Sequence, residues 1–426
     1  MESKYNSRSS DTQDSSEMQS VFKTRPVKMK NFNQHITELY SNMFALFIKE
    51  WSDLDKCTVF HTAASCALEV CNRRKNRYQT ILPYVHSRVT LEPLSTEGSD
   101  YINADFITGH KEREYIATQA PLKETFADFW RMVWQYKCRV IVMLAELVEH
   151  EIVKVDRYWP DRLGFTEKYG DIAVRLAFIS QRERIIVRKF HLTLGTEKRV
   201  VSQYVLEDFK EDCSDVTPSA IVDFIQTVRE DLNSGPDSGP AVVHCSAGLG
   251  RTGVFIALDY FQQRIAMMSL EDTIDVFAFV LKMRNHRPHM VQNLKQYLFI
   301  HDLLNLLIFV KQVILRQIQE MQADINNEHH IQDHNKVLVH VSNKKDVPTT
   351  SEGHDHASSE TSVPASNKKV DSSSYDEIIR ASNKKIADAS NKELADASNR
   401  GHIATRKEKP VQPAVKKVST TSRKSI

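Results

Sequence analysis

The chain has 426 residues, room for one large domain or two, and its charge is nearly balanced at Lys+Arg 57 against Asp+Glu 55. No global field therefore argues for a nucleic acid or a membrane surface as partner. The cysteines, Cys57, Cys66, Cys71, Cys138, Cys213 and Cys245, form no CxxC pair, which argues against zinc or a disulfide scaffold and for reduced thiols inside a cell.

In chain order, residues 1–30 are polar and Ser-rich, lack the apolar core of a signal peptide, and are expected to be a disordered lead-in. Residues 31–321 alternate in type. "FADFWRMVWQYK" has helical spacing, with Phe126, Phe129, Trp130, Val133 and Trp134 on one side. "RVIVML" (Arg139–Leu144) and "PAVVH" (Pro240–His244) are short, β-branched runs bounded by polar residues, as buried strands are. "TGVFIALDYFQQRIAMM" (Thr252–Met268) returns to helical period. The mixture predicts one α/β domain with a core large enough to stand alone.

"LLNLLIFVKQVIL" (Leu303–Leu315), broken by Lys311, reads as a core-facing helix too short for a bilayer, so no membrane span is expected. Residues 322–426 are nearly without aromatics and carry degenerate units on an eight-residue frame, such as "ASNKKVDS" at Ala365 and "ASNKKIAD" at Ala381. One small apolar residue per unit cannot build a core, so a disordered tail is expected, with multivalent docking of an unknown protein as its functional reading. The basic cluster Arg406, Lys407, Lys409, Lys416, Lys417, Arg423 and Lys424 suggests a nuclear-entry or acidic-surface signal. The setting expected for the protein is the cytoplasm or nucleus, as a monomer.

The chemistry lies in "VVHCSAGLGRTG" (Val242–Gly253), which follows an apolar strand and precedes an apolar helix. Gly248, Gly250 and Gly253 let the loop turn tightly with N–H groups facing inward, and the helix start adds the positive end of its dipole. Cys245 sits at the centre of this anion cradle and should be a thiolate at neutral pH. Arg251 offers a planar fork for two phosphate oxygens. The pattern implies phosphoryl transfer through cysteine, which needs neither metal nor organic cofactor.

At these residues the chain resembles the protein tyrosine phosphatase family, whose signature is HCSAGxGRTG. "KNRYQTILPYVHSRV" (Lys75–Val89), "DYINADFI" (Asp100–Ile107), "YIATQAPL" (Tyr115–Leu122), "DFWRMVW" (Asp128–Trp134), "VKVDRYWP" (Val153–Pro160) and "MVQNLKQYLFIH" (Met290–His301) resemble further family blocks. In overall impression it most resembles the tyrosine phosphatases that polydnaviruses (bracoviruses) of parasitoid wasps carry. The resemblance implies a single domain with a central twisted mixed β-sheet flanked by helices, acting on tyrosine-phosphorylated proteins, of a host if viral. It implies Cys245 as nucleophile, Arg251 as phosphate clamp, and the loop Ser246, Ala247, Gly248, Leu249 and Gly250 as phosphate cradle. Thr252 would hydrogen-bond the thiolate and His244 would orient the loop. Tyr78 would deepen the pocket, Gln292 and Gln296 would place the hydrolytic water, Arg284 and Arg287 would support the phosphate loop from behind, and Glu149 and Lys154 would brace the acid loop.

The chain departs from the family at Thr80, where an Asp is usual, at Ala120, where Gly is usual, and in "YVLEDFKEDCSD" (Tyr204–Asp215). Counted back from Pro218, the family's Trp-Pro-Asp falls on Phe209-Lys210-Glu211. Glu211 keeps the carboxyl of the general acid on a longer arm, with Asp212 as alternative donor or no effective acid at all. Two functions follow: hydrolysis of phosphotyrosine, or a pseudophosphatase that binds phosphotyrosine and shields it.

Overall fold

The computed structural model describes residues 24–92, 99–233 and 238–342. The lead-in before residue 24, the repeats from Asn343 onward and the terminal basic cluster lie outside the described residues. A nine-stranded sheet forms the centre. Its strands are β1 (Arg88–Thr90), β2 (Tyr101–Ile107), β3 (Tyr115–Thr118), β4 (Val140–Met143), β5 (Thr166–Tyr169), β6 (Ile172–Arg182), β7 (Ile185–Leu194), β8 (Glu197–Leu206) and β9 (Ala241–His244). They lie in the order β1-β2-β3-β9-β4-β8-β7-β6-β5. β3, β9, β4 and β8 run parallel, and the outer pairs are antiparallel. The parallel centre explains the unbroken apolar runs: β4 and β9 are buried at every position, as strands covered on both faces must be.

Helices flank the sheet: α1 (Phe32–Cys57), α2 (Phe126–Gln135), α3 (Pro218–Leu232), α4 (Gly250–Met267), α5 (Val276–His286) and α6 (Leu294–Ser342). Helix α2 buries Phe129, Trp130, Met132 and Val133 and lies against β5 and β6. The Thr217 hydroxyl accepts from the Ala220 N–H at the start of α3, and the Asp275 carboxylate accepts from the Ala278 N–H at the start of α5. Helix α1 is two helices joined by a sharp bend, with Asn42, Met43 and Phe44 left-handed.

Two boundaries differ from the sequence reading. Order begins before residue 31, because the Arg25 guanidinium is held by Glu50 (2.9 Å) and Asp53 (2.7 Å) and Val27–Lys28 pairs with Thr273–Ile274. Helix α6 also continues past residue 321. The apolar stretch expected to be too short belongs to a helix whose segment Leu294–Ala323 is long and apolar enough to cross a bilayer by length and composition. Its Ile300, Leu303, Leu304, Leu307 and Ile308 are nevertheless buried, at the spacing of one helix face packed on α1 and α4. Lys311, which interrupts the apolar run, donates to the closing carbonyls of α4 at Ile265 and Met268.

Candidate active site

The loop Cys245–Leu249 joins β9 to α4, at the carboxyl end of the parallel strands, where open α/β sheets bind ligands. Gly248 turns it with φ +71, and a Cβ there would lie 2.1 Å from the Thr118 carbonyl oxygen, so no other residue fits. Cys245 is buried, and its Sγ accepts from the Thr252 hydroxyl at 3.4 Å. Burial alone pushes the thiol up; the Arg251 guanidinium, the Thr252 hydroxyl and the N–H groups of Leu249 and Thr252 outweigh it and leave the thiol below its ordinary value. The electrostatics are those of a thiolate cradle.

His244 sits under the loop as a neutral ring. Burial holds its pKa down at about 4. Its Nδ1 lies 3.0 Å from the Cys245 carbonyl oxygen, which only accepts, so Nδ1 carries the proton and Nε2 accepts from the Tyr158 hydroxyl at 2.7 Å. The Gln203 amide donates in turn to the Tyr158 oxygen at 2.7 Å. Arg287 backs the loop: its Nε and Nη2 donate to the carbonyls of Gly248 (2.9 Å) and Ala247 (3.1 Å), while Asp105 (2.7 Å) and Asn103 (2.9 Å) hold its other side.

Arg284 does not join it. Its Nε and Nη2 donate to the carbonyls of Met290 (3.1 Å) and Val291 (3.0 Å), so it holds the segment entering Gln292 instead of the phosphate loop. Gln292 is exposed, and its N–H donates to the Gln296 side chain at 2.8 Å. Gln296 is buried against Gly250, where a Cβ would meet its amide, and it donates to the Glu211 carbonyl at 2.7 Å. It therefore ties the lid to α6.

The fork of Arg251 is held by Glu149 at 2.6 and 3.0 Å, and it also donates to the Phe209 carbonyl at 2.8 Å. Phe209 is buried with its ring centroid 6.4 Å from that of Phe299. The Glu211 carboxylate is 58% exposed and lies 3.7 Å from Lys154 Nζ. Asp212 turns away to Lys295 at 3.1 Å; the Ser214 hydroxyl and N–H and the Lys295 ammonium pull its pKa down to about 2. Of the two candidate donors, Glu211 is the one beside Lys154, whose carbonyl accepts from Ser246 of the phosphate loop.

Tyr78 forms the other wall, its hydroxyl 2.9 Å from the Ser246 Oγ, which itself donates to the Lys154 carbonyl at 2.9 Å. Residues 72–305 match the family model described as protein-tyrosine phosphatase. The chain belongs to the protein-tyrosine phosphatase family. It is 41% identical over 283 residues to receptor-type tyrosine-protein phosphatase F of Danio rerio, covering 66% of this chain and 14% of that protein. It is 40% identical over 292 residues to receptor-type tyrosine-protein phosphatase S of Gallus gallus, covering 68% and 19%. It is 37% identical over 281 residues to phosphatidylinositol phosphatase PTPRQ of Homo sapiens, covering 66% and 12%. The chain thus spans less than a fifth of the length of these relatives.

Several groups of this phosphatase domain were missed in the sequence. Tyr158, Asn103 and Asp105 lay inside quoted blocks, and polar residues in such apolar stretches were the available signal. Arg77 was another: it donates to the Ala120 carbonyl (3.0 Å), the Pro121 carbonyl (3.1 Å) and Asp156 (2.6 Å), anchoring the residue beside Tyr78. Ala120 is fully buried and its N–H donates to the Ser246 carbonyl at 2.9 Å, so the methyl group is accommodated. Gln203 carried no local signal at all; only strand pairing brings it under Tyr158.

Proposed function

We propose that this domain hydrolyses phosphotyrosine in proteins. Cys245 attacks phosphorus, Glu211 protonates the departing phenolate, and water placed by Gln292 then cleaves the cysteinyl phosphate. The observation that carries the reading is the buried Cys245 sulfur facing Thr252 and the Arg251 charge, with the thiol held below its ordinary value. Arg251 would exchange Glu149 contacts for phosphate oxygens while keeping its tie to the Phe209 carbonyl. The lid would then stay fastened over bound substrate.

The test pairs two substrates. An activated aryl phosphate needs no proton donor, whereas phosphotyrosine does, since a phenol titrates near ~10. Cys245→Ser should abolish turnover of both, and Glu211→Gln should slow phosphotyrosine by roughly 10²-fold or more while sparing the activated ester. Equal silence of wild type and Cys245→Ser between pH 5 and 7 would end the enzyme reading. Micromolar phosphopeptide binding without turnover would favour the shielding pseudophosphatase instead.

One observation favours a second substrate class. Thr80 is exposed and neutral where the family's Asp anchors peptide amides, and PTPRQ, named for phosphatidylinositol, is among the relatives. Phosphoinositide vesicles turned over faster than phosphopeptides would establish it. A viral role against host signalling, in the cytoplasm or nucleus of the host cell, rests on overall resemblance to the polydnavirus enzymes alone. Loss of tyrosine phosphorylation in insect immune cells expressing wild type, but not Cys245→Ser, is its test.

A further inference from the structure

The turn before Gln292 is strained and has its own clamp. His289 and Val291 both adopt left-handed backbone, each at φ 57, and a β-branched residue rarely does so. Strain of this kind persists only where the surroundings over-determine it. The surroundings are visible. Arg284, buried, holds the carbonyls of Met290 and Val291 through Nε and Nη2, and its Nη1 donates to Asp55 (2.7 Å) and Thr58 (3.0 Å) of the α1 end. Its guanidinium carbon stands 4.9 Å over the Trp51 ring. The His289 ring lies 5.2 Å from that of Phe60. On the other side the Val291 N–H faces the Leu249 carbonyl at 3.4 Å, and a Cβ at Gly253 would lie 2.5 Å from the Val291 nitrogen. The turn is therefore pressed between the phosphate loop and the arginine fork, and the next residue is Gln292.

We propose that Arg284 is a positioning residue for the second chemical step, holding a turn that would otherwise relax and carry Gln292 out of place. This rests on the reading of Gln292 given above. In that step a water oxygen bonds to phosphorus as the S–P bond breaks. The electron pair returns to Cys245 as thiolate, and the water's proton passes to the Glu211 carboxylate left ionised by the first step. The first step does not use Gln292, so Arg284 affects the two steps unequally. A group that merely supported the fold would slow both.

The experiment is rapid-mixing kinetics of the full chain with p-nitrophenyl phosphate, an activated ester whose release reports the first step as a burst and the second as the steady state. Arg284→Met is expected to keep the burst rate within about twofold and to lower the steady state about tenfold or more, because misplacement of that size forfeits an oriented water. The burst amplitude then rises toward one per enzyme. Arg284→Lys keeps the Asp55 pair without the planar fork and should behave as Met does. Val291→Gly in the Arg284→Met background removes the cost of the left-handed turn and should recover at least about threefold of the steady state. An unchanged steady state in Arg284→Met, a burst slowed in parallel with it, or no recovery with Val291→Gly would each overturn the proposal. Gln292→Ala is the separate control. If it fails to raise the burst amplitude, the role of Gln292 falls, and the inference falls with it, whatever Arg284→Met does.

Discussion

Cys245 is buried, and an apolar site alone would keep its proton on. The neighbours reverse that preference, and the reversal can be measured by alkylation with iodoacetamide against pH. In wild type the thiolate should persist well below the ordinary thiol range of about 8.5. Arg251→Met removes the nearest charge, so its alkylation profile should move upward in pH; an unmoved profile would show that the loop N–H groups suffice. His244 depends on one hydroxyl. In Tyr158→Phe the buried Nε2 acceptor and the Gln203 amide both lose their partner, which should cost about 1–3 kcal/mol in urea unfolding. A neutral result would mean that water replaces the hydroxyl.

At the scale of elements, the phosphate loop and the lid are held by different physics. The loop is fastened by buried groups: Arg287 and Asp105 are both fully buried and 2.7 Å apart. Arg287→Met leaves Asp105 without its cation, and should destabilise the domain by about 3–5 kcal/mol. The lid's backbone is held by the buried Arg251 and Gln296, but its own charged side chains are fastened by exposed pairs. Lys295, 70% exposed, meets Asp212, and Lys210 pairs with Asp215. Exposed pairs contribute about 1 kcal/mol or less and are screened by salt. Lys295→Ala should therefore lower phosphotyrosine turnover less than about fivefold, and the difference should vanish at high ionic strength. In the acidic stretch Tyr204–Asp215, Asp208, Asp212 and Asp215 face Arg184, Lys295 and Lys210, while Glu211 faces Lys154, whose carbonyl accepts from Ser246 of the phosphate loop.

Across the whole molecule, stability should fall in acid through buried histidines. His244 and His301 have an ordinary value of 6.5, and burial lowers each to about 4. A lowered histidine binds its proton more weakly folded than unfolded. Its contribution is complete above pH 6.5 and is lost as pH falls toward 4, by roughly 3 kcal/mol each. The unfolding midpoint should therefore drop across that window, and His301→Leu should flatten the drop by about half. A profile flat from 6.5 to 4 would refute it.

Much of the architecture was legible in order along the chain. The runs at Arg139–Leu144 and Pro240–His244 became β4 and β9, and the periodic stretches at Phe126 and Thr252 became α2 and α4, because period and β-branching are local properties. Arg25, the length of α6 and the clamp formed by Arg284 were not legible, since each depends on partners far away in sequence. The sequence by itself determined that Cys245, Arg251 and the glycines share one loop, because a short contiguous loop builds its own anion cradle. Only the tertiary structure decided which carboxylate meets which cation and which arginine holds which loop. Those choices are made by side chains meeting across tens or hundreds of residues, where no spacing along the chain records them.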